Sequence, residues 1–220
     1  MIPLRDVIPS RTRPYITVTI IILNALAWFF ELALPRELLP DFLQVYGVVP
    51  GRFHVTTLFT SMFLHASWMH IIGNMWYLWI FGDNVEDRVG HGRFIVFYLL
   101  CGMTAGIGQI VMNPGSLLPT IGASGAIAGV MGAYLVLYPR SRVITLIPLF
   151  VFWEVIEVPA VVLLGFWFLM QLFSAGAVAA TAGSGDGGGV AFAAHVAGFI
   201  VGAIGVFVFR KREDLDARWM

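Results

Sequence analysis

Apolar residues run through this chain in long blocks, and the polar positions fall in short clusters between them. Tyr15 to Leu34 is a nearly unbroken apolar stretch of about 20 residues, the length that crosses a bilayer as a helix. It is too long for a signal-peptide core and lacks a small-residue cleavage site. Five further spans are predicted at about Trp68–Phe81, Arg93–Met112, Gly122–Tyr138, Pro159–Ala175 and Val190–Phe209, the second and fifth being extended by neighbouring apolar residues. Val143–Val158 is also apolar, but it carries Glu154, Glu157 and Pro148. Two carboxylates in lipid are costly, so this stretch is expected to be an interfacial loop. The pattern predicts an all-α, polytopic bundle of six transmembrane helices. It forms a single domain over residues 1–220, with short tails at about 1–14 and 210–220.

Composition agrees. The 220 residues are 59% hydrophobic and 12% charged, against roughly 25% charged in a soluble domain. Thirteen basic residues balance thirteen acidic ones, so nothing points to a nucleic-acid partner; the implied surroundings are a lipid bilayer. Cys101 is the single cysteine, which excludes a disulfide scaffold. Six spans put both termini on one side, and that side then holds eleven of the thirteen Lys and Arg, leaving Arg36 and Arg52 on the other. Basic residues near span ends stay cytoplasmic. The expected orientation is therefore N-in and C-in, in a prokaryotic plasma membrane, with the 113–121 and 176–189 loops facing outward.

The connection from Pro35 to Ser67 is too apolar for a free aqueous loop, with Phe53, Leu58, Phe59, Met62, Phe63 and Leu64, and too broken for a spanning helix. Irregular backbone at membrane depth survives only against protein or a wet cavity. This long loop is expected to lie sideways in the outer leaflet against the bundle.

Spans normally exclude polar side chains, so His65, His70, Asn74, Ser124 and His195, with Gln109 and Gln171 as lesser cases, carry the information. His70 and Asn74 are four residues apart and share a helix face. Ser124 opens span four, His195 lies one to two turns inside span six, and all four converge in the outer half of the bilayer. Alone, Ser124 reads as a plain helix N-cap. Gly125 and Gly129 near Ser124, and Gly198 and Gly202 near His195, let two helix backbones approach closely. Close approach permits a hydroxyl–imidazole hydrogen bond, the nucleophile–base pair of a serine hydrolase. The Ser124 backbone N–H, His70 and Asn74 can supply oxyanion donors.

The runs His65-Ala-Ser-Trp-Met-His70-Ile-Ile-Gly-Asn74, Gly122-Ala-Ser124-Gly125 and Ala194-His195-Val-Ala-Gly198 make the chain resemble the rhomboid intramembrane serine proteases over essentially all six helices. The Gly82–Gly90 turn with Glu86, and the segment from Pro159 through Trp167 to Gln171, also look like that family. The resemblance implies a dyad without a third acid, Ser124 as nucleophile and His195 as base. His70, Asn74 and the Ser124 amide would serve the oxyanion. It implies that His65 holds the apolar loop against the bundle and that Glu86 braces helix ends. No metal and no cofactor are implied, and the expected partners are single-pass transmembrane protein substrates. Two features depart from the pattern: Gly51-Arg52-Phe53 replaces the Trp-Arg of some relatives, and Ala128 stands where some place an aromatic against the histidine.

On this reading a substrate segment reaches the dyad between spans two and five, past Trp76, Trp79, Phe166 and Trp167, under a glycine-rich cap at Ala175–Gly189. Rival readings are an inactive rhomboid relative that binds transmembrane clients, and a small transporter built round the same cavity. The absence of internal repeats speaks against the transporter. Gly183-Ser-Gly-Asp186 mimics an aspartyl-protease string without a second aspartate opposite it, and no H-E-x-x-H marks a zinc site. His54 and His91 read as surface residues, Glu31 as an interfacial one and Cys101 as core filler.

Overall fold

In the computed structural model, which describes residues 1–149, 152–181 and 191–211, the chain is mostly helical. A first strand, β1 (Ile2–Asp6), precedes helix α1 (Tyr15–Ala33). The connection that follows folds as α2 (Leu39–Tyr46), a short α3 (Thr57–Thr60) and two 3-10 turns, Pro50–Arg52 and Ser61–Phe63. Then come α4 (Trp68–Val89), α5 (His91–Met112), α6 (Ser124–Leu137), strands β2 (Arg142–Leu149) and β3 (Phe152–Pro159), α7 (Ala160–Thr181) and α8 (Phe192–Phe209).

Helix α6 is the axis of the molecule, with every residue from Gly125 to Tyr134 buried. It packs against α4, α5 and α8. Small residues make this possible: Cβ atoms on Gly125 or Gly129 would lie 2.5 Å from Ala105 and Cys101 of α5. Helices α1, α5, α7 and α8 are long and apolar enough to cross a membrane. Helix α4 has 22 residues but gathers Asp83, Glu86, Asp87 and Arg88 at its end, and α6 has 14.

The expectation of an all-α bundle needs correction, because β1, β2 and β3 form an antiparallel sheet in that order. The stretch read as an interfacial loop at 143–158 is a hairpin, and part of the N-terminal tail is its third strand. The β-branched run Val143-Ile144-Thr145 favours extended backbone, and a hairpin pairs backbone groups that a loop would leave bare. Glu157 is exposed and meets Arg142 at 3.1 Å. Val143 and Thr145 bury their side chains against the helices. β1 lies along α4, where the Trp76 indole N–H donates to the Pro3 carbonyl at 2.7 Å. β3 runs directly into α7, so the sheet bridges α4 and α7.

Other boundaries also move. Helix α4 continues to Val89, and α7 continues to Thr181, so Gly176 is helical rather than part of a cap loop. The remainder of the expected cap, including Gly183–Asp186, and the tail from Arg212 to Met220 lie outside the described residues. The 35–67 connection packs on the segment before α6: Val48 and Thr120 exchange backbone hydrogen bonds of 3.0 and 2.8 Å, and Gly122 N–H donates to Ser61 O at 2.8 Å.

Glu86 is fully buried at the junction of three helices. Its carboxylate accepts the backbone N–H groups of Ile16 and Thr17 at 2.9 and 2.8 Å and the Thr17 hydroxyl at 2.7 Å. It also meets His91 Nδ1 at 2.5 Å, so His91 is not a free surface residue. A carboxylate against the first N–H groups of α1 satisfies donors that the helix itself leaves open.

Candidate active site

The site is set by how closely α6 and α8 approach. A Cβ on Gly198 would collide with the Gly125 carbonyl, and one on Gly202 with the Gly129 carbonyl. These contacts lock the two helices in register over successive turns. Ser124 precedes the first contact on α6, and His195 lies on α8 three residues before Gly198.

The result is a hydrogen bond of 2.7 Å between Ser124 Oγ and His195 Nε2. Helix α6 begins at Ser124 itself, with Ala123 at the cap position and no side-chain cap. The serine hydroxyl is therefore committed to the imidazole rather than to capping. As the first residue of the helix, Ser124 has a backbone N–H with no acceptor within it. His195 is buried, at 8% exposure.

The second imidazole nitrogen is held from α7. His195 Nδ1 lies 2.8 Å from Gln171 Oε1. An amide oxygen only accepts, so Nδ1 carries the proton and Nε2 offers its lone pair to the serine hydroxyl. The Trp167 ring stands 5.8 Å from the His195 ring, inclined at 36°. An aromatic neighbour thus comes from α7, while Ala128 on α6 is fully buried. Gln171 was visible in the sequence as a polar residue in an apolar run, but its partner could not be read there.

His70 and Asn74 flank the turn before the serine. Gly122 adopts φ +120°, and a Cβ there would lie 2.6 Å from His70 Nε2 and 3.6 Å from Asn74 Nδ2. Glycine is required both for the backbone angle and for the space. His70 Nδ1 accepts the Ala66 N–H at 3.3 Å, which leaves the proton on Nε2, the nitrogen beside Gly122. Asn74 Nδ2 donates to His65 Nε2 at 3.0 Å, and His65 Nδ1–H donates to Phe63 O at 3.2 Å. Burial, reinforced by the neighbouring His70, pushes the His65 imidazole down to about 4, so it stays neutral and accepts from the amide. Glu31, read as interfacial, is in fact buried and accepts the His65 backbone N–H at 3.1 Å.

These groups open on a cavity of about 900 Å³, lined among others by His70, Asn74, Ser124, Trp167 and His195. Among the described residues no three or more His, Cys, Asp or Glu side chains are placed to share a metal ion. The arrangement can activate a hydroxyl and present donors beside it, which is the equipment of acyl transfer.

The chain is 40% identical over 85 residues to rhomboid protease GluP of Bacillus subtilis, an alignment covering 39% of this chain and 16% of that protein. It is 28% identical over 201 residues to the chloroplastic rhomboid-like protein 11 of Arabidopsis thaliana, covering 86% and 66% of the two chains. It is 34% identical over 95 residues to the human mitochondrial presenilin-associated rhomboid-like protein, covering 42% and 25%. The chain thus spans less than two thirds of the length of each of these relatives. The family model of the Rhomboid domain matches residues 52–212, from the loop before α3 to the end of α8, and this integral membrane protein belongs to the rhomboid family.

Proposed function

We propose that the protein is an intramembrane serine endopeptidase that hydrolyses peptide bonds in or near the transmembrane segments of single-pass proteins. The observation that carries this reading is the 2.7 Å contact between Ser124 Oγ and His195 Nε2. His195 takes the hydroxyl proton as Ser124 attacks the carbonyl carbon, then returns it to the leaving amine. Water, activated by the same imidazole, releases the acyl group from Ser124. The Ser124 N–H, His70 Nε2–H and Asn74 Nδ2–H serve as the oxyanion donors. Water reaches the dyad through the cavity, since lipid cannot supply it. Substrates with glycine, proline or other weak helix formers are favoured, because a helical segment hides its carbonyls in hydrogen bonds.

The proposed topology has six spans, α1, α4, α5, α6, α7 and α8, with the 35–67 connection embedded beside them and both termini cytoplasmic. Supporting it, β1 pairs with β2, and strands that pair lie on one side of a bilayer. An even number of crossings must then separate residues 6 and 142, and α1, α4, α5 and α6 provide four. A prokaryotic plasma membrane, with the cavity opening outward, completes the reading.

The test uses purified protein in liposomes with a panel of tagged single-span proteins. The wild type is expected to cleave at least one of them and to react with a fluorophosphonate at Ser124. Ser124→Ala and His195→Ala are expected to remain folded and inert. Retained cleavage by Ser124→Ala overturns the assignment. Client binding without cleavage or labelling by the wild type favours an inactive family member.

A further inference from the structure

We propose that Gln171 is the positioning residue of the catalytic base. The inference rests on the serine-hydrolase reading. A Ser–His pair without a third acid still needs something to fix the imidazole, because a neutral histidine has two tautomers and only one can work here. With the proton on Nε2, the ring donates to Ser124 Oγ and can take nothing from it. With the proton on Nδ1, the Nε2 lone pair accepts the hydroxyl proton. Gln171 Oε1, 2.8 Å from Nδ1, selects the second state.

The amide does this without taking a proton. When Nε2 receives the hydroxyl proton, Nδ1 keeps its own, and the imidazolium stays hydrogen-bonded to the carbonyl dipole of Gln171. That dipole stabilises the positive charge less strongly than a carboxylate would, so the ring readily returns the proton to the leaving amine.

Trp167 and Gln171 are four residues apart on α7 and lie on one face, one beside the imidazole ring and the other on its nitrogen. Both contacts to His195 therefore come from one face of α7.

The test uses the full-length protein with Gln171→Met, which keeps the volume and removes the acceptor, and Gln171→Glu, which restores one. Gln171→Met is expected to lower kcat by about 10- to 100-fold with KM within about twofold and to slow fluorophosphonate labelling in parallel. Thermal unfolding should shift by no more than a few degrees. Gln171→Glu is expected to recover kcat at alkaline pH, with the acidic limb of the pH–rate profile moved to higher pH. Independently of activity, 15N spectra of histidine-labelled protein are expected to show His195 protonated on Nδ1 in the wild type and mixed between nitrogens in Gln171→Met. A Gln171→Met variant with wild-type kcat, or with an unchanged Nδ1-protonated signal, overturns the proposal. A wild type without Ser124-dependent cleavage sinks the hydrolase reading instead, and the spectra then judge the Gln171 contact alone.

Discussion

Gly198 on α8 faces the carbonyl oxygen of Gly125 on α6 with no room for a methyl group between them. The hydroxyl and imidazole sit beside this contact, so backbone proximity and dyad geometry are one property. Gly198→Ala is expected to destabilise the fold by about 1–3 kcal/mol through overpacking and to reduce kcat/KM more than that loss explains. Gly165→Ala, on α7 with no atom within 4 Å of the added methyl, serves as the control and should unfold no earlier than wild type. Thermal unfolding in detergent, paired with cleavage rates, reads both effects.

Asn74 is held by His65 at one amide hydrogen, and in the proposed function the other serves the oxyanion. Asn74→Ala is expected to reduce kcat by about 10²–10³-fold, the usual cost of losing one such donor. KM should change little, because the bond tightens only as charge develops on the carbonyl. A fall confined to KM would assign Asn74 to substrate binding instead.

Removing Glu86 strands two backbone N–H groups and a hydroxyl at the start of α1. Glu86→Ala is expected to cost at least about 3 kcal/mol, with Glu86→Gln milder because one amide oxygen still accepts. Chemical denaturation in mixed micelles measures it. Equal stability of all three proteins would show that the junction is held by other contacts.

Asp6 accepts the Tyr134 hydroxyl and an Asn84 amide hydrogen, each at 2.8 Å. Burial, with the charge of Asp83 adding to it against the Tyr134 hydrogen bond, pushes its carboxyl up to about 6. A raised carboxyl favours the protonated folded state, so its stabilising contribution is full below the usual carboxylate range and lost as pH rises through about 6. Asp6→Asn, which keeps an acceptor oxygen without the charge, is therefore expected to raise the melting temperature more at pH 8 than at pH 5. A gain larger at pH 5 would refute this sign.

The meeting of Ser124 with His195 was legible in the residues because polar groups in apolar helices are anomalies that need a reason, and His70 and Asn74 line the same cavity. The long helices were legible for the complementary reason: nothing interrupted them. Gln171 showed the same anomaly, but its role depends on how α7 is rotated about its axis, which a uniformly apolar stretch leaves open. Glu31 ended an apolar block and so passed for interfacial, although it is folded inward against the His65 amide. The sheet was hidden because short β-branched runs fit either a buried strand or a helix. The partner of β1, moreover, lies some 140 residues further along the chain.

That separation governs the order of assembly. Residues 2–6 are made well before β2, the strand they pair with, which follows α6 in the chain. β1 stays unpaired until α1, α4, α5 and α6 have been made, so its closing hydrogen bonds form late. Changes to β1 therefore bear on a late step of assembly rather than an early one.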